Sequence, residues 1–308
     1  MTHTAQNILK TLGYFDLFQY PLTKEEMCLF HAEYISHTVI AIALEELIHD
    51  KTVFRFDEFY SLKNDPSLVQ RRRNGNILAN AQMKTAVKVA GFLSGFPYVK
   101  GIAVSGSLSK NFANEKSDID FFIVTEANRL WIARTFMHLY KKLIFLTGRQ
   151  NRYCMNYYVD EAGLEIAEKN IFTAMEIVTL KPMQGRSGLD HFMAGNAWTT
   201  KYFPAKPVAI GDVAEIKPGL FRKAVEKILY GRAGDRIDTW LMNITGKRWQ
   251  RKTEKKRLNS RGGFMGMAVD RHFSKPDPKN FQDKVVEQYR VKVQQLLQAQ
   301  HKTATLVL

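Results

Sequence analysis

Two apolar runs, residues 98–105 and 119–124, flank the group of residues best suited to chemistry. Gly106-Ser107-Leu108-Ser109-Lys110 follows the first run, and Ser117-Asp118-Ile119-Asp120 begins ten residues after Ser107. Glycine lets a backbone turn tightly and approach a phosphate closely. Ser107 offers a hydroxyl, and the turn offers amide donors of the kind that hold anions. Asp118 and Asp120 are i and i+2, so on a strand both carboxylates leave the same face. Two carboxylates on one edge attract hard dications such as Mg²⁺, which take oxygen ligands. Paired metal ions can activate an attacking oxygen and neutralise a departing pyrophosphate.

Positioning these groups requires strand, turn and strand. Tyr98 to Ser105 reads as a buried strand and Ile119 to Val124 as a second. A helix over 76–94 precedes them, and a long helix over 129–147 follows, with Trp131, Ile132, Phe136, Leu139, Leu143 and Leu146 on its apolar side. Residues 152–159 and 164–167 read as a hairpin turning at Asp160-Glu161-Ala162-Gly163, and residues 170–181 as a helix stopped by Pro182.

The pattern Gly106-Ser107, ten residues, then Asp118-x-Asp120 between apolar flanks resembles the DNA polymerase β-type nucleotidyltransferase superfamily. The similarity spans about residues 95–170, and with the region ahead of it the chain also resembles bacterial nucleotidyltransferase-domain proteins. The resemblance implies transfer of a nucleoside monophosphate from an NTP, such as ATP, to an acceptor with release of pyrophosphate. It implies that Asp118 and Asp120 hold Mg²⁺, two ions in all, and that Gly106, Ser107, Ser109 and Lys110 bind the nucleotide. Relatives usually carry a third acid on a later strand. Here Asn156 stands where that acid is expected, while Glu165, between Leu164 and Ile166, faces either the site or solvent. Without a third carboxylate, the alternative is a non-catalytic nucleotide-sensing regulator or interaction protein of the same fold. Arg129 and Arg134, opening the long helix, are candidates for the triphosphate or for surface ion pairs.

Ahead of this region, apolar residues at helical spacing predict helices over 4–15, from Thr23 onward and over 37–49, followed by short β-rich runs at 52–56 and 59–62. Thr23 and Glu26 form a capping-box signature. Three helices and a two-stranded wing make a winged-helix pattern. Its third helix carries Glu45, Glu46 and Asp50 and no Lys or Arg, so duplex DNA binding is not expected. Arg71-Arg72-Arg73 reads as a solvated helix start.

The formal net charge of the 308-residue chain is +15. It is confined to one part: residues 217–308 hold 21 Lys/Arg against 8 Asp/Glu, and residues 1–216 hold 24 against 22. That third reads as helices over 220–244 and 280–299 around a basic segment, 247–257, containing Trp249, and a glycine-rich loop at Gly262, Gly263 and Gly266. A polyanionic acceptor such as RNA would suit it. Cys28 and Cys154 lie in no metal or disulfide spacing, and nothing resembles a signal peptide or a membrane span. The expected architecture is an α+β, cytoplasmic protein: a winged-helix domain (1–70), a nucleotidyltransferase-fold mixed sheet with helices (71–216) and a basic helical domain (217–308).

Overall fold

The computed structural model describes residues 2–146, 153–206, 210–255, 266–276 and 281–306. The first region comprises α1 (His3–Asp16), β1 (Leu22–Thr23), α2 (Lys24–Phe30), α3 (His37–His49), β2 (Phe54–Phe56) and β3 (Phe59–Ser61). Thr2, Thr23 and Ser36 each cap a helix through a side-chain oxygen. The Thr23–Glu26 capping box forms in both directions. The three strands make an antiparallel sheet in the order β1-β3-β2, whose two-residue β1 is too short to carry a periodic signal.

Next come α4 (Ser67–Leu93), β4 (Val99–Ser105), the single-turn α5 (Gly106–Ser109), β5 (Ile119–Thr125), α6 (Leu130–Leu146) and β6 (Tyr153–Asp160). They are followed by α7 (Ile171–Val178), β7 (Lys181–Gln184), α8 (Arg186–Gly195) and a 3₁₀ turn, Ala197–Lys201. The remaining elements are α9 (Leu220–Ile228), α10 (Gly231–Glu254), β8 (Met267–Val269), β9 (Phe273–Pro276) and α11 (Phe281–Leu306). Six strands form one mixed sheet in the order β7-β4-β5-β6-β9-β8. Among the described strands only β5 and β6 run parallel, and α6 supplies the crossover that a parallel pair needs.

Several expectations change. The helix expected to end at Pro182 stops at Val178, and Pro182 lies instead in β7. Proline is tolerated there because β7 is an edge strand, where a missing donor leaves no ladder bond unmade. Residues 164–167 form no strand. The antiparallel partner of β6 is β9, more than a hundred residues later in the chain. The α10 helix runs through the basic stretch as far as Glu254, and Lys252 lies over the Trp249 ring. Lys256 and Arg257, and Gly262 and Gly263, lie outside the described residues.

Residues 217–308 are not a separate layer. They add β8 and β9 to the central sheet, and Leu241, Met242 and Val269 pack against its core. Helix α11 packs on α1, with the Tyr14 and Tyr289 rings 5.7 Å apart and Lys292 2.8 Å from Asp16. The first region likewise shares its core with Ala174, Met175, Phe203 and Val285. The arginine triplet is a docking device rather than a solvated start. Arg72 is buried between the Tyr20 and Phe59 rings, 4.4 Å from each centroid, and donates to both oxygens of Glu26 at 2.7 and 2.8 Å. Arg71 donates to the carbonyls of Phe18 and Gln19, and Arg73 pairs with Asp57 and Glu58.

Candidate active site

Strands β4 and β5 pair antiparallel with Ser105 opposite Asp120, and β5 pairs with β6 so that Asp120 faces Cys154. The turn after β4 and the acidic end of β5 therefore meet at one end of the sheet. Gly106 adopts φ +67°, and a Cβ built on it would lie 2.8 Å from Asp120 Oδ2. Only glycine fits both the left-handed backbone and that approach. Asp118 and Asp120 are half-buried. Burial raises the Cys154 thiol pKa, Lys141 opposes it, and the Asp120 and Asp118 carboxylates add to the rise. Both acids thus act on the same sulfur, on the sheet face that also carries Phe122 and Val124.

The nucleotide-binding candidates divide. Ser107 is exposed and lines a large cavity beside the turn, together with Ser105 and Gly106. Ser109 is buried, and its hydroxyl donates to the Gly106 carbonyl at 2.8 Å, so it braces the turn. Lys110 also lines the cavity, but its ammonium donates to Glu176 Oε1 at 2.8 Å and to the Gly106 carbonyl at 3.2 Å. The Tyr20 hydroxyl donates to the Lys110 carbonyl at 3.0 Å, tying the first region to the turn.

Glu165 is not brought to the acid pair's strand neighbours. With no strand at 164–167, it is exposed in the connection between β6 and α7, 2.5 Å from Lys169, and does not line the cavity. Asn156 does line it: a β-bulge in β6 leaves Asn156 as the extra residue between Met155, opposite Phe121, and Tyr157, opposite Phe122. Arg129 and Arg134 lie on the opposite side of the sheet. Arg129 is buried, bonded to Asp235 at 2.5 Å and to the Gly231 carbonyl, and Arg134 is buried over Trp131 and Tyr158. Asp160 is no turn acid. Its carboxylate is fully buried, accepts from the Asn128 and Ala162 amides, and lies 3.0 and 3.1 Å from His272 Nδ1.

The cavity measures about 670 Å³ and has mostly apolar walls drawn from three regions of the chain. The first region supplies Tyr14, Phe15, Phe18 and Tyr20, the middle supplies Phe122, Tyr157 and Phe192, and the last supplies Phe273 and Phe281. Tyr14 is not marked out in the sequence, being a core residue of an amphipathic helix. Glu176 was open to detection, being the one charge in the apolar stretch Ile171–Val178.

Asp118 and Asp120 offer hard oxygen donors of the kind Mg²⁺ prefers. Among the described residues no group of three or more His, Cys, Asp or Glu side chains is arranged to hold a metal ion. Two carboxylates suit an ion whose other ligands are phosphate oxygens and water, which is how Mg²⁺ is commonly held. No described helix is long and apolar enough to cross a membrane.

Residues 84–182, from within α4 to β7, about a third of the chain, match the family model of the nucleotidyltransferase domain. The match contains the Gly106-Ser107 turn, both aspartates and α7. No curated protein and no solved structure matches the chain.

Proposed function

We propose that this protein is a Mg²⁺-dependent nucleotidyltransferase that moves a nucleoside monophosphate from an NTP to a hydroxyl-bearing acceptor. The observation that carries this reading is the close approach of Gly106 to Asp120 across the β4–β5 pair, which puts a phosphate-sized turn beside two carboxylates. Ser107 and the turn amides would hold the β- and γ-phosphates, while Asp118 and Asp120 would hold the metal. Bound there, Mg²⁺ would offset the charge of the phosphates. The acceptor oxygen attacks the α-phosphorus and the bond to the bridging oxygen breaks. Pyrophosphate leaves with the bonding electrons, and the hydroxyl proton passes to water at the open rim.

Lys110 serves this site indirectly: held by Glu176 and the Gly106 carbonyl, it fixes the turn against α7. The test is Mg²⁺-dependent NTP binding and label transfer in a cell extract, comparing the wild type with Asp118→Asn/Asp120→Asn. Both should fall at least about a hundredfold in the variant. Equal binding and turnover would remove the site assignment.

Asn156 favours a second reading. The strand next to the acid pair presents an amide where relatives present a third acid, which suits a nucleotide-binding domain without transfer. Tight Mg²⁺-dependent NTP binding with no pyrophosphate release in any extract would select it.

A further inference from the structure

Resting on the nucleotidyl-transfer reading, we infer that the aromatic cavity beside Ser107 is the acceptor site, and that its ligand is a small neutral or singly cationic molecule with an apolar or aromatic body. At about 670 Å³ the cavity is within the size range of small-molecule sites. Its interior is apolar: Phe122, Ile177, Leu180 and Phe192 are buried and line it.

The charges on its wall argue against a polyanion. Among the described residues five charged ones line it, the cations Lys110 and Lys275 and the acids Glu168, Glu176 and Asp283. Both cations are committed, Lys110 to Glu176 and Lys275 to Glu168. The balance is one negative charge, which repels phosphate-rich ligands and tolerates a cation among aromatic rings. Of the described residues in the strongly basic last third, Lys275 is the one cation on this wall.

Tyr14 is 2% exposed and lines the cavity, and its hydroxyl has no hydrogen-bond partner among the described residues. That hydroxyl has almost no accessible surface of its own, so Tyr14 meets the cavity with its ring. Burial first, then the Glu176 carboxylate and Tyr289, hold the Tyr14 phenol well above its usual pKa, so it stays a donor. The ligand's apolar body then fills the cavity, and its own hydroxyl meets the nucleotide at the Ser107 rim.

N-phenyl-1-naphthylamine, a neutral aromatic amine that fluoresces in apolar sites, is the probe for the full chain. It should bind saturably with Kd on the order of 10 μM. Saturating ATP with Mg²⁺, or a 20-nucleotide RNA, should leave that Kd within about twofold. Ala268→Trp, which fills the cavity from the half-exposed edge strand β8, should weaken the probe at least about tenfold. Phe281→Asp, at the exposed rim, gives a second variant should the first melt early.

No saturable binding, or wild-type probe affinity in both folded variants, would overturn the inference. Competitive displacement by ATP would make the cavity the nucleoside's own pocket, and displacement by RNA would restore a polyanionic ligand. Either result would also overturn it. Mg²⁺-dependent ATP binding, measured in parallel by calorimetry, separates the two ideas. Its absence alongside intact probe binding would remove nucleotidyl transfer and leave the ligand class standing.

Discussion

The two faces of the six-stranded sheet are built from alternate residues of the same strands and finish differently. On one face Ile119, Phe121 and Ile123 pack against α4 and α6 with Trp131 and Tyr158 fully buried, and none of these residues borders the cavity. On the other, Phe122 stacks at 4.5 Å on Phe192, and beyond it the side chains of α1, α7 and α11 stand back and leave a chamber. The first face is packed for stability. The second leaves dispersion contacts unmade, a cost a protein retains where a ligand completes the packing.

Large-to-small substitutions test that contrast most strongly. Trp131→Ala removes a buried ring together with the hydrogen bond from its Nε1 to the Asp270 carbonyl. It should cost about 3–5 kcal/mol in denaturant unfolding. Phe122→Ala should cost less, about 2–3 kcal/mol, because a space already lies beside it. Equal losses at the two positions would mean that the second face is packed as tightly as the first.

A charge behind the sheet sharpens the comparison through pH. Burial pushes the Asp238 carboxyl up to about 6 from its ordinary 3.8, against the lowering effect of the Ile132 and Trp131 amides that bond to it. Because the folded form binds its proton more tightly, this group's contribution is full below pH 4 and is lost as pH rises toward 6. Asp238→Asn should flatten the stability profile across that window, by about 1–3 kcal/mol. An unchanged profile would assign the pH dependence to other groups.

Gly106→Ala carries the smallest stability cost and belongs to the cavity face. With φ +67° and Asp120 Oδ2 2.8 Å from the new Cβ, it should cost about 1–2 kcal/mol. It should also weaken Mg²⁺-dependent NTP binding more than that figure suggests, since it would displace the carboxylate proposed to hold the metal. A variant with full nucleotide affinity would separate the turn from the acid pair.

The sequence made the turn and the acid pair legible because their chemistry is local. Gly106, Ser107, Asp118 and Asp120 sit on two adjacent strands whose apolar runs are unbroken. Glu165 misled because alternation over three residues does not make a strand, and the true neighbour of β6 is β9, from the far end of the chain. Arg72 was misjudged for a related reason. A basic triplet looks solvated until Tyr20, Phe59 and Glu26 are brought around it by tertiary contacts. Tyr14 carried no signal at all, since a buried aromatic on an amphipathic helix looks the same whether or not its hydroxyl is satisfied.

The packing of α11 on α1 has a consequence for biosynthesis. Residues 84–182 hold the whole Gly-Ser and Asp-x-Asp apparatus, but Phe281 and Asp283 line the chamber from the other end of the chain. Synthesis runs from the first region to the last, so the ribosome exposes the nucleotide motif long before the helix that completes the chamber. During that interval α1 presents Tyr14 and Phe15 without their final neighbours, and contacts this distant in sequence are slow to close. A half-made chain thus carries the proposed nucleotide site before the proposed acceptor chamber has closed.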